Sequence, residues 1–311
     1  MKFRNVLGVA AGTVGLTALA NRLLTARSED FEPFLDGDHG TYRWRGFDIG
    51  YTEAGDPEDQ DVLLFHGINA AGSSHEFWRV FDDLSEEYHV IAPDLPGFGH
   101  SDRPPLMYSA SLYATFLTDA IEDLSEEPPI VVASSLTGSY AAMAARKSEV
   151  KELILVSPTD SSMGGGRTWL RALLRSPVVG QGIYNLIASK YSIRHFHDDH
   201  GYYDMDNLPS EVVDYEWESA HQPGARFAPA SFVSGFLDPD EDLGDALEEL
   251  DVPITLVWGR DADITPLEEG RDLAERIDAR LVVFDNALLM PHVEHPEEFV
   301  DVVRGRIEIE S

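Results

Sequence analysis

The chain has no cysteine. Disulfides, thiol nucleophiles and thiolate-held metals are therefore all excluded. Basic residues are the second shortage. The chain has 23 Lys and Arg, only four of them Lys, against 56 Asp and Glu, and its formal net charge is −33 over 311 residues. Phosphate backbones are bound by basic patches, so nucleic acid is excluded as a partner. Long apolar stretches are missing too. The longest, Val6 to Ala20, is shorter than the ~20 residues that cross a bilayer comfortably. No cofactor is expected, because the tryptophans read as core or pocket lining.

The apolar run sets the N-terminus apart from the rest of the chain. Lys2 and Arg4 precede it, Arg22 and Arg27 come after it, and Ala18-Leu19-Ala20 has the small-x-small form of a cleavage site. A short membrane anchor, a cleaved signal and an ordinary packed helix are all open readings. The two arginines beyond the run resist translocation. They favour a tether through residues 6–24, and a membrane-associated or cytoplasmic protein over a secreted one. Residues 28–38 then read as an acidic linker.

Regular patterning begins at Thr41. Thr41 to Arg45 and Phe47 to Tyr51 alternate and meet at Gly46, which predicts a hairpin. Val62 to Phe65, Val90 to Ala92, Ile130 to Ala133 and Leu153 to Val156 are short apolar runs of the buried parallel-strand kind. Helical patterns separate them at Phe77 to Leu84, Leu112 to Leu124 and Leu136 to Arg146. Two more strands, Ile254 to Trp258 and Leu281 to Phe284, flank a helix over Leu267 to Ile277, and a last helix starts at Pro296. Such alternation predicts a mostly parallel sheet covered on both faces. It stops between Ser157 and Leu250, a stretch too long for a bare loop. The division is an N-terminal segment over 1–30, a core over 31–157 and 251–311, and an insertion over 158–250.

The most informative stretch is Val131-Val132-Ala133-Ser134-Ser135-Leu136-Thr137-Gly138. A strand runs into a helix through a turn with Ser135 at its apex and small residues two before and two after. A turn this sharp needs small flanking residues and lifts the serine hydroxyl clear of the sheet. Phe65-His66-Gly67-Ile68 and Asp94-Leu95-Pro96-Gly97-Phe98-Gly99-His100-Ser101 precede it in order. From about Thr41 to the C-terminus, these motifs resemble the α/β-hydrolase superfamily. The resemblance implies an α/β fold with an eight-stranded, mostly parallel sheet and a helical cap in the 158–250 insertion. It also implies Ser135 in the nucleophile position, with the backbone N–H groups of Ile68 and Leu136 as oxyanion donors. The Asp94 turn would be structural.

The rest of a catalytic triad departs from the family pattern. Trp258-Gly259-Arg260-Asp261-Ala262-Asp263-Ile264-Thr265-Pro266 places Ala262 where the family has its acid, with Asp261 and Asp263 on either side. Leu288-Leu289-Met290-Pro291-His292-Val293-Glu294-His295-Pro296 places Leu289 where the family has its histidine, three residues before His292. A serine hydroxyl is a poor nucleophile until a base takes its proton. Asp261, Asp263 and His292 are the candidate substitutes. The insertion adds His195, His197 and His200 with Asp198 and Asp199, which could hold a metal or supply a base from the cap. Two functions are open. One is hydrolysis of an ester or similar acyl bond through Ser135 with a non-standard base. The other is a catalytically weakened relative whose pocket binds a small apolar ligand or a protein partner.

The charge makes one prediction of its own. Acidic excess with Arg favoured over Lys resembles proteins of salt-loving archaea, where salt screens self-repulsion. The Debye length falls from about 10 Å at ~0.1 M salt to about 3 Å at ~1 M. The melting temperature should climb steeply from low to molar potassium chloride. A flat profile would reject the halophilic reading.

Overall fold

The computed structural model describes residues 17–28, 31–162 and 164–306. Residues 6–16 of the apolar run lie outside them. Eight strands form one sheet: β1 (Asp38–Trp44), β2 (Phe47–Ala54), β3 (Asp61–Phe65), β4 (His89–Pro93), β5 (Ile130–Ser134), β6 (Glu152–Val156), β7 (Ile254–Gly259) and β8 (Arg280–Phe284). Their order is β1-β2-β4-β3-β5-β6-β7-β8. The β1–β2 and β2–β4 pairs are antiparallel, and every other pair is parallel. The hairpin turns at Arg45 and Gly46, both with positive φ (45° and 97°). That is the backbone of a two-residue turn matched to strand twist.

The helices arise from the same patterns. Residues 17–27, here α1, are helical. Between β3 and β6 come α2 (Phe81–Ser85), α3 (Ala110–Leu124) and α4 (Thr137–Ala145). The helix expected over Phe77 to Leu84 is instead a 3₁₀ turn, Ser74–Phe77, followed by the short α2. Between β6 and β7 the chain forms α5 (Thr168–Arg175), α6 (Val179–Ile187), α7 (Lys190–Phe196), α8 (Ser210–Ala220), α9 (Phe227–Val233) and α10 (Leu243–Glu248). After β7 come α11 (Leu267–Ile277), α12 (Pro291–Glu294) and α13 (Pro296–Val303).

Strand side chains alternate faces, and the core divides accordingly. Leu63, Phe65, Val131, Ala133 and Leu155 pack with Phe116 of α3 and Tyr140 of α4. Val62, Leu64, Val132, Ile154 and Val257 face the other way, against Phe81 of α2 and Phe299 of α13. Apolar residues on both faces make the parallel strands read as continuous runs.

The helices between β6 and β7 cap the loops at the carboxyl ends of the strands. Tyr184 donates to the Ala70 carbonyl at 2.7 Å, and Tyr140 donates to that of Leu237 at 2.6 Å. The segment expected as a linker is more than that. Phe31 stacks on His100 at 4.2 Å, and Phe34 packs against Tyr215 at 5.0 Å. Its acids mark it as solvated, but its aromatics fill the seam between cap and core. Among the described residues, no helix is long and apolar enough to cross a membrane.

A buried ionic contact closes the same seam. Glu216 of α8 accepts from His197 Nε2 at 2.9 Å and from His75 Nε2 at 3.2 Å, all three side chains being buried. Burial alone would raise the Glu216 pKa, but the charge and hydrogen bond of His197, with help from His75, hold it at about 2. Burial would lower His197, yet Glu216 pulls it above its ordinary 6.5. His197 therefore contributes stability that is full below pH 6.5 and is lost as pH rises through its raised value. Glu216 contributes stability that is full above pH 4.5 and is lost as pH falls towards about 2. Cap docking should be strongest between those two limits. Glu216→Gln leaves His197 buried and unpaired and should cost about 3–5 kcal/mol. The difference in melting temperature between wild type and variant should peak in that window. A difference that does not vary with pH would refute the ion pair.

Candidate active site

The site is built around Ser135. β5 ends at Ser134 and α4 starts at Thr137, so the chain must reverse within two residues. Ser135 makes the turn at φ 53°, in the left-handed region. A residue with a Cβ is strained there. Ser135 N–H donates to the Val156 carbonyl at 2.9 Å, which fixes the turn against β6. Gly138 leaves room for close packing, since a Cβ there would meet Pro158 at 2.9 Å.

Thr137 stands where a smaller residue would be usual, and the structure gives a reason. Its hydroxyl donates to the His66 carbonyl at 2.8 Å, tying the elbow to the loop after β3. His66 closes that loop from the other side. Its Nδ1 lies 2.8 Å from the Gly67 carbonyl, and its Nε2 accepts from Leu95 N–H at 3.0 Å. Burial lowers the His66 pKa to about 4, so the ring is neutral, as an Nε2 acceptor must be.

Gly67 N–H donates to Glu76 Oε2 at 2.8 Å, and a Cβ on Gly67 would sit 3.5 Å from that of Ser135. Glu76 is buried. Burial raises its pKa, while hydrogen bonds from Ser134 and Gly67 pull it back. Nothing in the sequence marks this carboxyl, which is one acid in a very acidic chain. The consequence for the site is simple. Gly67 N–H is occupied, while the next one, that of Ile68, has no protein acceptor among the described residues, and neither has Leu136 N–H. Both donors expected for an oxyanion are unpaired.

Asp94 is a buried scaffold residue. Its carboxylate accepts from Ser74 N–H at 2.7 Å and His100 N–H at 2.6 Å. Gly99, at φ 47°, must lack a Cβ because one would lie 2.0 Å from the Asp94 carboxyl carbon.

The candidate substitutes separate. His292 is fully buried between Phe77 and Phe299, and its Nε2 is 3.5 Å from Glu76 Oε1. Neither of its ring nitrogens makes a hydrogen bond among the described residues, and burial lowers its pKa to about 3. Its surroundings are apolar, and Phe77 and Phe299 flank the ring. Asp261 is exposed. Ala262 is buried with Trp258 and Leu267. Asp263 accepts from His200 Nδ1, at 2.9 and 3.0 Å for its two oxygens.

The three cap histidines do not act together. His195 lies in α7, while His197 and His200 lie in a π-helical turn, His197–Gly201, and the three have different partners. His197 goes inward to Glu216. His195 stays outside, where it, Asp198 and Asp199 bring ligand atoms within 4.8 Å of one another on an exposed surface. His200 goes to Asp263, and its carbonyl accepts from Leu289 N–H at 3.2 Å, while that of Gly201 accepts from Met290 N–H at 3.2 Å. The cap turn is thus bound to Leu289, where the sequence reading places the family's histidine.

Ser135 Oγ makes no hydrogen bond among the described residues, and Ser135 is half-buried. Three surface clefts of about 620, 500 and 190 Å³ lie elsewhere, and none is lined by Ser135, Ile68 or Leu136. We place the site by its chemistry rather than by those hollows.

The model of the alpha/beta hydrolase family matches residues 62–302. An uncharacterised protein of Mycobacterium tuberculosis is 26% identical over 302 residues, covering 90% of this chain and 85% of the relative. The pimeloyl-(acyl-carrier protein) methyl ester esterase of Aeromonas salmonicida is 26% identical over 254 residues, covering 78% of this chain and 94% of the relative. A crystal structure of a meta-cleavage product hydrolase from Pseudomonas fluorescens superposes with a TM-score of 0.68 at 23% identity, covering 86% of this chain and 96% of the other.

The backbone at Ser135 can be tested by itself. Ser135→Gly removes the left-handed penalty of roughly 1–2 kcal/mol and adds chain entropy of roughly 0.5–1 kcal/mol. The net should be a gain of about 0.5–1 kcal/mol. Ser135→Ala keeps the penalty and should melt like wild type. Equal stability of the Gly and Ala variants would mean that the elbow is unstrained.

Proposed function

The chain belongs to the alpha/beta hydrolase family, and from that premise we propose that it hydrolyses an ester or similar acyl bond. Ser135 is the nucleophile, and His200, oriented by Asp263, is its base. One observation carries the reading: an imidazole with Nδ1 on a carboxylate is hydrogen-bonded through its backbone to Leu289. That orientation gives a base its working tautomer, with the lone pair on Nε2. The tautomer is assigned from the carboxylate partner. His200 Nε2 has no partner among the described residues and is available.

In this reaction Ser135 Oγ attacks the acyl carbonyl as His200 Nε2 takes its proton. Ile68 and Leu136 N–H groups hold the oxyanion. The proton passes to the departing alcohol, leaving an acyl-serine. Water then attacks that ester, again through His200, and releases the acid. Catalytic hydrogen bonds are often long without substrate, so closure of the cap turn onto the elbow belongs to the mechanism. The esterase relative supports an ester as the bond cleaved. A tether through residues 6–24 and a salt-dependent fold are further parts of the proposal.

The competing reading is a ligand-binding relative without turnover. The unpartnered Ser135 hydroxyl favours it. Hydrolysis of p-nitrophenyl butyrate separates the two. Turnover should vanish in Ser135→Ala and fall ~10²–10⁴-fold in His200→Ala, the range of a positioned base. Asp263→Asn should cost up to ~10⁴-fold by upsetting the tautomer. A folded wild type with no turnover would favour binding. An active wild type indifferent to His200→Ala would sink the base assignment.

A further inference from the structure

Carboxylates are distributed unevenly along the chain. Residues 1–28 contain none, and neither do residues 161–197, while all 56 Asp and Glu lie elsewhere. The same two segments hold nine of the 23 Lys and Arg: Lys2, Arg4, Arg22, Arg27, Arg167, Arg171, Arg175, Lys190 and Arg194. Although far apart in sequence, they meet in the fold. Asn21 of α1 donates to the Val178 carbonyl at 3.1 Å and accepts from Asn185 at 3.0 Å. Gly182 lets α1 approach α6 closely, since a Cβ there would be 2.8 Å from the Thr17 methyl.

The surface they form is apolar as well as acid-free. Trp169 of α5 is 68% exposed, Leu186 of α6 72% and Tyr191 of α7 79%. Leu19 and Leu23 of α1 and Val179 of α6 are also exposed. Most large exposed apolar side chains among the described residues lie on α1 and α5–α7. Clustering of this kind marks an interaction surface.

The arginines behave differently here. Elsewhere several pair with carboxylates, as Arg146 does with Glu241, Arg260 with Asp285 and Arg276 with Asp242. Within the patch, Arg22, Arg27 and Arg194 are exposed and make no ion pair among the described residues. Arg171 lies over the Phe236 ring at 3.3 Å and Arg175 over Phe227 at 4.9 Å. Lys190 is the exception, paired with Asp214 at 2.5 Å.

We propose that α1 and cap helices α5–α7 form a docking face for an anionic lipid surface. Exposed Trp, Tyr and Leu flanked by unpaired arginines are what an interfacial segment needs, with aromatic rings at the headgroup level and cations at the phosphates. Anionic lipid attracts this face, and the heavily acidic remainder is repelled, so the charge sets orientation as well as attraction. The face overlaps the tether through residues 6–24 at Leu19, Arg22 and Leu23 of α1 and extends beyond it through the cap helices, which supply Trp169, Leu186 and Tyr191.

The test uses the full chain and vesicles of equal phosphatidylglycerol and phosphatidylcholine, in the lowest potassium chloride at which the fold is intact. The chain should float with these vesicles and not with pure phosphatidylcholine. Trp169→Ser/Leu186→Ser/Tyr191→Ser should weaken binding at least ~10-fold, given the apolar area withdrawn. Arg22→Glu/Arg194→Glu should weaken it by a similar factor. All of these side chains are exposed, and unchanged melting curves would confirm intact folds. Brominated lipid should quench fluorescence in wild type and less in Trp169→Phe. Binding with no Trp169-dependent quenching would mean that the N-terminal run acts alone, and would overturn the proposal. So would patch variants that float like wild type, or a lipid-free wild type that sediments as a dimer dissolved by the triple substitution, which would assign the face to a second copy.

Discussion

The candidate site depends on one hydrogen bond, from Gly67 N–H to the buried Glu76 carboxyl. A carboxyl withdrawn from water is costly unless partnered. Here Gly67 and Ser134 meet part of that need. The bond fixes the loop after β3 against the serine elbow, and Thr137 fixes it again through His66. With the loop held at those two points, Ile68 and Leu136 have N–H groups with no protein acceptor among the described residues. Such prearranged donors are worth most where water is excluded.

The cap supplies what the core lacks. In the proposed mechanism Ala262 and Leu289 stand where the sequence reading expects the family's acid and histidine, so the base comes from the cap. One turn of the cap brings back an imidazole on a carboxylate. The same turn sends His197 inward to Glu216, whose other contact, with His75, joins α8 to the segment carrying Glu76. The proposed base and the buried His197 therefore share a five-residue element. A change that loosens the seam should be felt at His200.

Much of the fold was legible because periodicity reports burial directly. β5 and β6 are buried on both faces, and their runs of Val, Ile and Leu could be little else. The Ser135 elbow was legible because a sharp turn restricts its neighbours. Thr137 as a structural donor was not, since its role depends on a carbonyl far away in the chain. Glu76 looked like any other acid. The pairing of His200 with Asp263 joins residues 63 apart, through a cap turn with no strong local pattern. The split of the three cap histidines between α7 and the π-helical turn is not encoded in sequence spacing. The aromatic seam at Phe31 and Phe34 was hidden beneath the charge around it.

The central claim of the proposal is that Ser135 is a nucleophile activated by His200. Labelling of the full-length protein by a fluorophosphonate, read by intact mass and mapped by peptide, tests this most directly, because the probe reports activation without any assumption about substrate. The account predicts one adduct, on Ser135, formed quickly in wild type and far more slowly in His200→Ala. A folded wild type that stays unlabelled, or labels at the same rate without His200, would contradict it.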